Sequence, residues 1–174
     1  LDTQPGLLDA GPVLAAVGRH QPHPGDRSAA FFASLPRKVV AAAVICRAPT
    51  GAMLTVYDSF RRHWTIPGGV IDVDEPPQAG ACRETWEETG LDVEIRDLLG
   101  VFAARGPDRL IFVFDAVPVS STSTGRLPDL RPVHAHEVED AAWVPVEEAI
   151  ARVAPHVAEQ VRRCLWSPGR VWSV

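Results

Sequence analysis

Between Gly68 and Leu91 the chain reads GGVIDVDEPPQAGACRETWEETGL, and this stretch constrains the fold more than any other. Six carboxylates share it with one cation, Arg83. Pro76 and Pro77 would break a helix interior but suit a first turn, and Gly90 suits the residue that closes a last turn. A helix is therefore predicted between them, with Asp74 or Glu75 near its start. Ahead of it, Gly68-Gly69 marks a turn at which the backbone can come close to a neighbour.

On such a helix, at about 100° per residue, Glu84, Glu87 and Glu88 fall on one face, with Glu87 about 60° to one side of Glu84 and Glu88 about 40° to the other. Ala79, Cys82 and Trp86 fall near the opposite side and are the predicted core contacts. Like charges this close repel unless solvated or bound to a cation. Carboxylate oxygens are the preferred ligands of hard divalent ions such as Mg²⁺ and Mn²⁺, and a carbonyl at the Gly68-Gly69 turn could join them. Arg83, four residues before Glu87, can orient a carboxylate such as Glu75 through a bidentate hydrogen bond.

The rest of the chain reads as alternating strands and helices. KVVAAAVIC is a predicted buried strand, PTGA a hairpin turn and MLTVYD a second strand, with WTIP leading into the glycine pair. Two longer apolar runs, Val93 to Ala104 and Leu110 to Val119, flank RGPDR and read as paired strands. SSTSTGRLPDLRP is a polar loop, AAWVP a last strand, and VEEAIARV and PHVAEQVRRCL are helices. The order predicts an α/β (α+β) layered domain over residues 37–174. Residues 1–36 differ: RHQPHPGD is turn-rich, and a short helix from Ser28 to Leu35, capped by Asp26 or Ser28, ends at Pro36. They read as an N-terminal extension packed on the domain or on a partner subunit.

Composition narrows the partners. A net charge of −5 gives no basic surface for a nucleic-acid polymer. The longest unbroken apolar run, Val39 to Cys46, cannot span a bilayer, and Leu1 to Gly18 lacks a basic signal-peptide start, so a cytoplasmic protein is expected. Cys46, Cys82 and Cys164 are too scattered for a disulfide framework or a thiolate zinc site.

Read as a pattern, Gly69, Glu75, Arg83-Glu84, Glu87-Glu88, Gly90 and Leu91 stand at the spacing of the Nudix box, and the chain resembles the Nudix hydrolases from about Arg37 to Cys164. The resemblance implies a mixed β-sheet between helices. It also implies Mg²⁺- or Mn²⁺-dependent hydrolysis of the pyrophosphate bond of a nucleoside diphosphate linked to another moiety. By the same analogy Glu84, Glu87, Glu88 and the Gly68 carbonyl would hold metal, Arg83 and Glu75 would brace loop and helix, and Glu84 or Glu88 would be the general base. Outside the box, Glu137, Glu139 and Asp140 are alternative bases. Two positions depart from the family's usual pattern: Thr85, where an aliphatic residue is common, and Asp74, which stands where a glycine often allows an unusual backbone.

Substrate signals are sparse. Arg61, Arg62 and His63 could reach phosphates or form a solvated basic hairpin. Phe60, Trp64, Phe102 and Phe112 could stack on a base or fill the core, while His134 and His136 could touch substrate or remain in a solvated loop. Trp166 and Trp172 are expected to pack or to cover an interface. Pro107 stands where ADP-ribose pyrophosphatases of the family carry a proline, and also where an ordinary turn would. ADP-ribose, nucleotide sugars and (d)NTPs remain as small-molecule partners. Two other readings share the fold. One is a non-catalytic Nudix domain that senses a nucleotide; the other is an isoprenyl diphosphate isomerase, for which Cys46 is the only upstream cysteine. Family members often dimerise, and residues 1–36 could exchange between subunits of a homodimer.

Overall fold

The computed structural model describes residues 28–119, 127–134 and 136–174. Residues Leu1–Pro36 and Arg37–Val174 form separate units. In the first, α1 (Ala29–Ser34) starts at Ser28, whose side chain accepts a hydrogen bond from the Phe31 N–H, as a capping serine should. Asp26 and the turn-rich RHQPHPGD lie outside the described residues, as does most of the segment expected to exchange between subunits.

The second unit contains β1 (Val39–Cys46), β2 (Ala52–Asp58), β3 (His63–Thr65), β4 (Gly68–Val70), α2 (Pro77–Thr89), β5 (Val93–Ala104), β6 (Arg109–Pro118), β7 (Val138–Pro145), α3 (Val146–Arg152), α4 (Pro155–Trp166) and β8 (Arg170–Ser173). A five-stranded sheet runs β4-β1-β6-β5-β8 and a three-stranded sheet runs β3-β2-β7. The β1–β6 and β5–β8 pairs are parallel and the β1–β4 and β5–β6 pairs antiparallel, so the larger sheet is mixed.

β1 is apolar throughout because both its faces are covered. Ala42, Val44 and Cys46 join a core with Ala81 of α2, while Ala43 and Ile45 join a second core with Val157 and Val161 of α4. The mixed sheet thus lies between helices, as the predicted α+β class requires. Among the described residues no helix is long and apolar enough to cross a membrane.

Three expectations need correction. PTGA does turn, with Gly51 N–H donating to the Ala48 carbonyl at 2.9 Å, but β1 and β2 do not continue as a hairpin. After the single bridge Arg47–Met53 they part into different sheets, because each finds better partners there. β8 was not anticipated; it pairs with β5 and lays Trp172 on Phe102, with ring centroids 4.8 Å apart and planes 18° apart. Trp172 packs as expected, whereas Trp166 is exposed.

The third correction concerns α2. Its core face is Gly80, Ala81, Thr85 and Thr89 rather than Ala79 and Trp86, while Cys82 packs against that core as expected. Ala79 and Trp86 are exposed and Cys82 is half-buried. The threonines pass as core residues because each hydroxyl donates back along the helix, Thr85 to the Ala81 carbonyl at 2.7 Å and Thr89 to the Thr85 carbonyl at 2.5 Å. Thr85 therefore fills the aliphatic position without leaving a buried hydroxyl unpaired.

Candidate active site

The chain enters the site along β4, whose register sets Gly69 opposite Ala42 and Gly68 opposite Ala43 of β1. A Cβ on Gly68 would overlap the Ala42 carbonyl oxygen and Ala43, and one on Gly69 would overlap the Glu84 carboxylate. The glycine pair is thus a contact surface for both strand and helix. The loop that follows turns at Asp74, whose φ of 63° is the left-handed conformation its place in the motif foretells. Pro76 is the N-cap of α2, and Gly90 closes the helix at φ 72° with its N–H on the Trp86 carbonyl. The segment after residue 127 then caps the same end, since Arg131 N–H donates to Thr89 and both Val133 and His134 N–H donate to the Glu87 carbonyl. That contact brings His134 and Glu137 to the acidic face.

Arg83 organises this face. Its Nε and Nη2 each lie 3.0 Å from a Glu75 oxygen, the expected bidentate pair, and Nη2 also donates to the Val70 carbonyl. Its Nη1 is shared between Glu84 at 3.0 Å and Glu87 at 3.2 Å. The hydrogen bonds from Arg83, helped by the Asp72 N–H, hold the Glu75 carboxyl below its ordinary range. Burial raises the Glu84 carboxyl despite Arg83, and the charges of Glu87 and Glu137 add to the rise.

Glu88 is the exception. Among the described residues its Oε2 accepts only the Gly68 N–H, at 2.9 Å. Burial pushes its pKa up to about 8 against that hydrogen bond, and the charges of Glu84, Asp58 and Glu137 push the same way.

Glu84, Glu88, Gly68 and Gly69 line a cleft of about 460 Å³ together with Asp58, Phe60, Arg61, His63, Arg109, Glu137 and His156. Of the sequence-predicted residues, Arg61 lines it but is already paired with Asp58 at 2.6 Å. Arg62 is exposed outside it, because a left-handed turn at φ 56° separates the two arginines. Glu137 lines the cleft, whereas Glu139 and Asp140 do not; the Asp140 carboxylate accepts the Ala141 N–H instead. Glu87 stands beside the cleft, between Arg83 and His134. Phe60 is exposed at its rim, while Phe102 is core and Trp64 packs against the core. Arg109 and His156 were missed. Nothing local marks them, since the parallel β1–β6 pairing and the start of α4 bring them in.

Among the described residues no three carboxylate, imidazole or thiolate groups already converge as a closed metal cluster. The donor set nonetheless fits a hard divalent ion: hard oxygen donors lie at a backbone turn, and one of them, Glu88, is a half-buried carboxylate with no cation partner among the described residues. Cys46 has no part in this. It is fully buried, and burial followed by the charge of Asp115 pushes its thiol up to about 12, which disfavours the isomerase reading.

Comparison with known proteins identifies the family. The family model for the NUDIX domain matches residues 36–164. The chain belongs to this family. It is 38% identical to a MutT-like protein of Streptomyces ambofaciens over 81 residues, which are 45% of the chain and 53% of that protein. It is 27% identical to the phosphatase NudJ of Escherichia coli over 107 residues, which are 57% of the chain and 64% of NudJ. The chain thus spans less than two thirds of each of these relatives. A solved NUDIX hydrolase from Nitrosomonas europaea superposes with a TM-score of 0.64 at 20% identity, covering 80% of this chain and 81% of that one, and shares the fold.

Proposed function

We propose that this NUDIX chain hydrolyses the pyrophosphate bond of a nucleoside diphosphate linked to another moiety, using Mg²⁺ or Mn²⁺. The observation that carries the reading is Glu88, a half-buried carboxylate without a cation partner among the described residues, beside the Gly68-Gly69 turn in a cleft that also presents Glu84. Glu84, Glu87, Glu88 and the Gly68 carbonyl would hold the ion, which supplies neutralisation of phosphate charge and a more acidic water when bound. Arg83 and Glu75 fix the β4–α2 loop against the helix, so that Glu84 keeps its place over Gly69. Glu84 or Glu88 accepts the proton of the attacking water. The Gly68 N–H holds Glu88 by one oxygen and leaves the other free. With its small-molecule substrate, the protein is expected to work in the cytoplasm.

The test is turnover of a panel of ADP-ribose, nucleotide sugars, dinucleoside polyphosphates, coenzyme A and (d)NTPs with either ion, with Glu88→Gln alongside. Metal-dependent cleavage that falls ~100-fold or more in the variant is expected. Tight binding of one member with no cleavage would refute catalysis and favour the nucleotide-sensing reading.

A further inference from the structure

The cleft has a second chemical character that the carboxylates leave unused. Arg109 at the start of β6, His63 on β3 and His156 in the first turn of α4 line it as well. The last two are brought together by Trp64, whose carbonyl accepts the Ala154 N–H at 3.0 Å. Their rings meet edge to face with centroids 5.9 Å apart. Burial holds the His156 pKa down, and the charges of His63, Arg109 and Arg61 hold it down further, which places all four groups within one another's field in a cluster built on Arg61 and Arg109.

Within that cluster Arg61 is paired with Asp58, but Arg109 forms no ion pair among the described residues. Its Nε is buried with no hydrogen-bond partner among the described residues, and it forms none of the ion pairs that hold Arg61 and Arg83. An unsatisfied buried donor on a charged group is costly, and folded proteins seldom retain one without a use. The use is set by charge. In the proposed reaction the scissile pyrophosphate is neutralised at the carboxylate end of the cleft, so the Arg109 end is left needing an anion of its own. On β1, Gly69 stands opposite Ala42 and Arg109 opposite Val39, about 10 Å apart along the strand at about 3.3 Å per residue. A ligand spanning the cleft would therefore meet the two ends with different groups. A diphosphate joined to a neutral sugar has nothing anionic to offer there, whereas a longer phosphate chain does.

We propose that Arg109, with His63 and His156, forms a subsite for a phosphoryl group beyond the scissile pyrophosphate, making the substrate class nucleoside tri- or polyphosphates rather than diphosphates joined to a neutral sugar. The word scissile rests on the hydrolase reading above; the phosphate subsite does not. Two measurements separate them. In the first, inorganic phosphate and inorganic triphosphate are titrated into the metal-free protein while the imidazole resonances of His63 and His156 are followed by NMR. Both rings should shift, and Arg109→Gln should weaken binding by about 10- to 100-fold, the range for losing a hydrogen bond to a charged group. In the second, Arg109→Gln should raise KM for a nucleoside triphosphate at least about tenfold with kcat little changed, and leave KM for ADP-ribose as it was.

Arg109→Lys, which keeps the charge without the planar fork, should fall between wild type and Arg109→Gln. An unchanged melting temperature would show that the variants are folded. Rings that do not move with either anion would overturn the subsite, as would equal losses on ADP-ribose and the triphosphate. If no panel member is cleaved, the hydrolase reading falls and the metal-free titration alone decides the subsite.

Discussion

Replacing Gly69 and Gly68 one at a time with alanine separates what the glycine pair does for the fold from what it does for the site. The three atoms nearest a Cβ on Gly69 all belong to the Glu84 carboxylate, the free end of a flexible side chain. That carboxylate can swing away at the cost of its 3.0 Å contact with Arg83, which retains Glu75 and Glu87. Losing one hydrogen bond between charged groups costs about 1.5 kcal/mol here, at the low end of the range because a displaced Glu84 regains water. For a chain of this size that lowers Tm by roughly 3–6 °C. A Cβ on Gly68 overlaps backbone, the Ala42 carbonyl and Ala43, at a φ of 150° that a side chain disfavours. Strain of about 1–3 kcal/mol, with a similar amount for forcing β1 and β4 apart, predicts a Tm drop of roughly 10 °C or more.

Activity should invert that order per degree lost. Shifting Glu84 by about 1 Å is enough to cost on the order of 100-fold in turnover. Differential scanning calorimetry supplies Tm, hydrolysis of the best substrate supplies kcat, and electron paramagnetic resonance of Mn²⁺ supplies a binding readout independent of turnover. Gly69→Ala should stay folded while losing turnover and binding Mn²⁺ at least about tenfold more weakly. A Gly69→Ala protein with wild-type turnover and Mn²⁺ affinity would refute the reasoning, as would two variants that melt alike.

Two further predictions concern stability. Burial would raise the Asp58 carboxyl, but hydrogen bonds from the Arg61 N–H, the Arg61 guanidinium and the Phe60 N–H overcome it and leave the pKa below its ordinary value. A lowered folded-state value stabilises above the unfolded pKa and ceases to do so as pH falls through the folded one. The Tm gap between wild type and Asp58→Asn should thus be full at pH 6 and shrink below about pH 4, and a gap that is constant down to pH 3 would contradict it. Trp172→Ala should remove the stack on Phe102 and uncover Gly100, costing ~2–3 kcal/mol, less than a fully buried tryptophan because the ring is half-exposed. A melt within 1 °C of wild type would show that β8 contributes nothing to the sheet, a shift well below the roughly 5 °C expected.

What could be read in the sequence was what local chemistry dictates. The proline pair and Gly90 delimit α2 because each carries a backbone constraint independent of the rest of the fold. β1 is legible as a continuous apolar run because helices cover both its faces. The core face of α2 was misread for a related reason. A hydrophobicity count places Trp86 inside, but the helix backbone satisfies the Thr85 and Thr89 hydroxyls, and their small volume suits close approach to the sheet better than an indole would. The cationic end of the cleft was invisible as a whole for another reason. His63 stood out beside Arg61 and Arg62, but Arg109 and His156 lie on elements far from it in the chain, and only strand order and register bring them together.

The acidic face also shows how one residue can make a like-charged cluster foldable without completing it. Arg83 offers its planar fork to Glu75 by two nitrogens and its third nitrogen to Glu84 and Glu87, so three of the four box glutamates are partnered in the protein alone. A lysine at this position, a single point charge on a flexible stem, could not serve all of them at once. Glu88 lies beyond the reach of that fork, on the side of the helix next to Thr85, where burial raises its pKa and only one backbone N–H answers it. A second arginine there would relieve Glu88 and close the cleft with the same stroke. Leaving Glu88 without a cation costs some stability, and in the proposed reaction it would keep one position open for an ion that can leave and return.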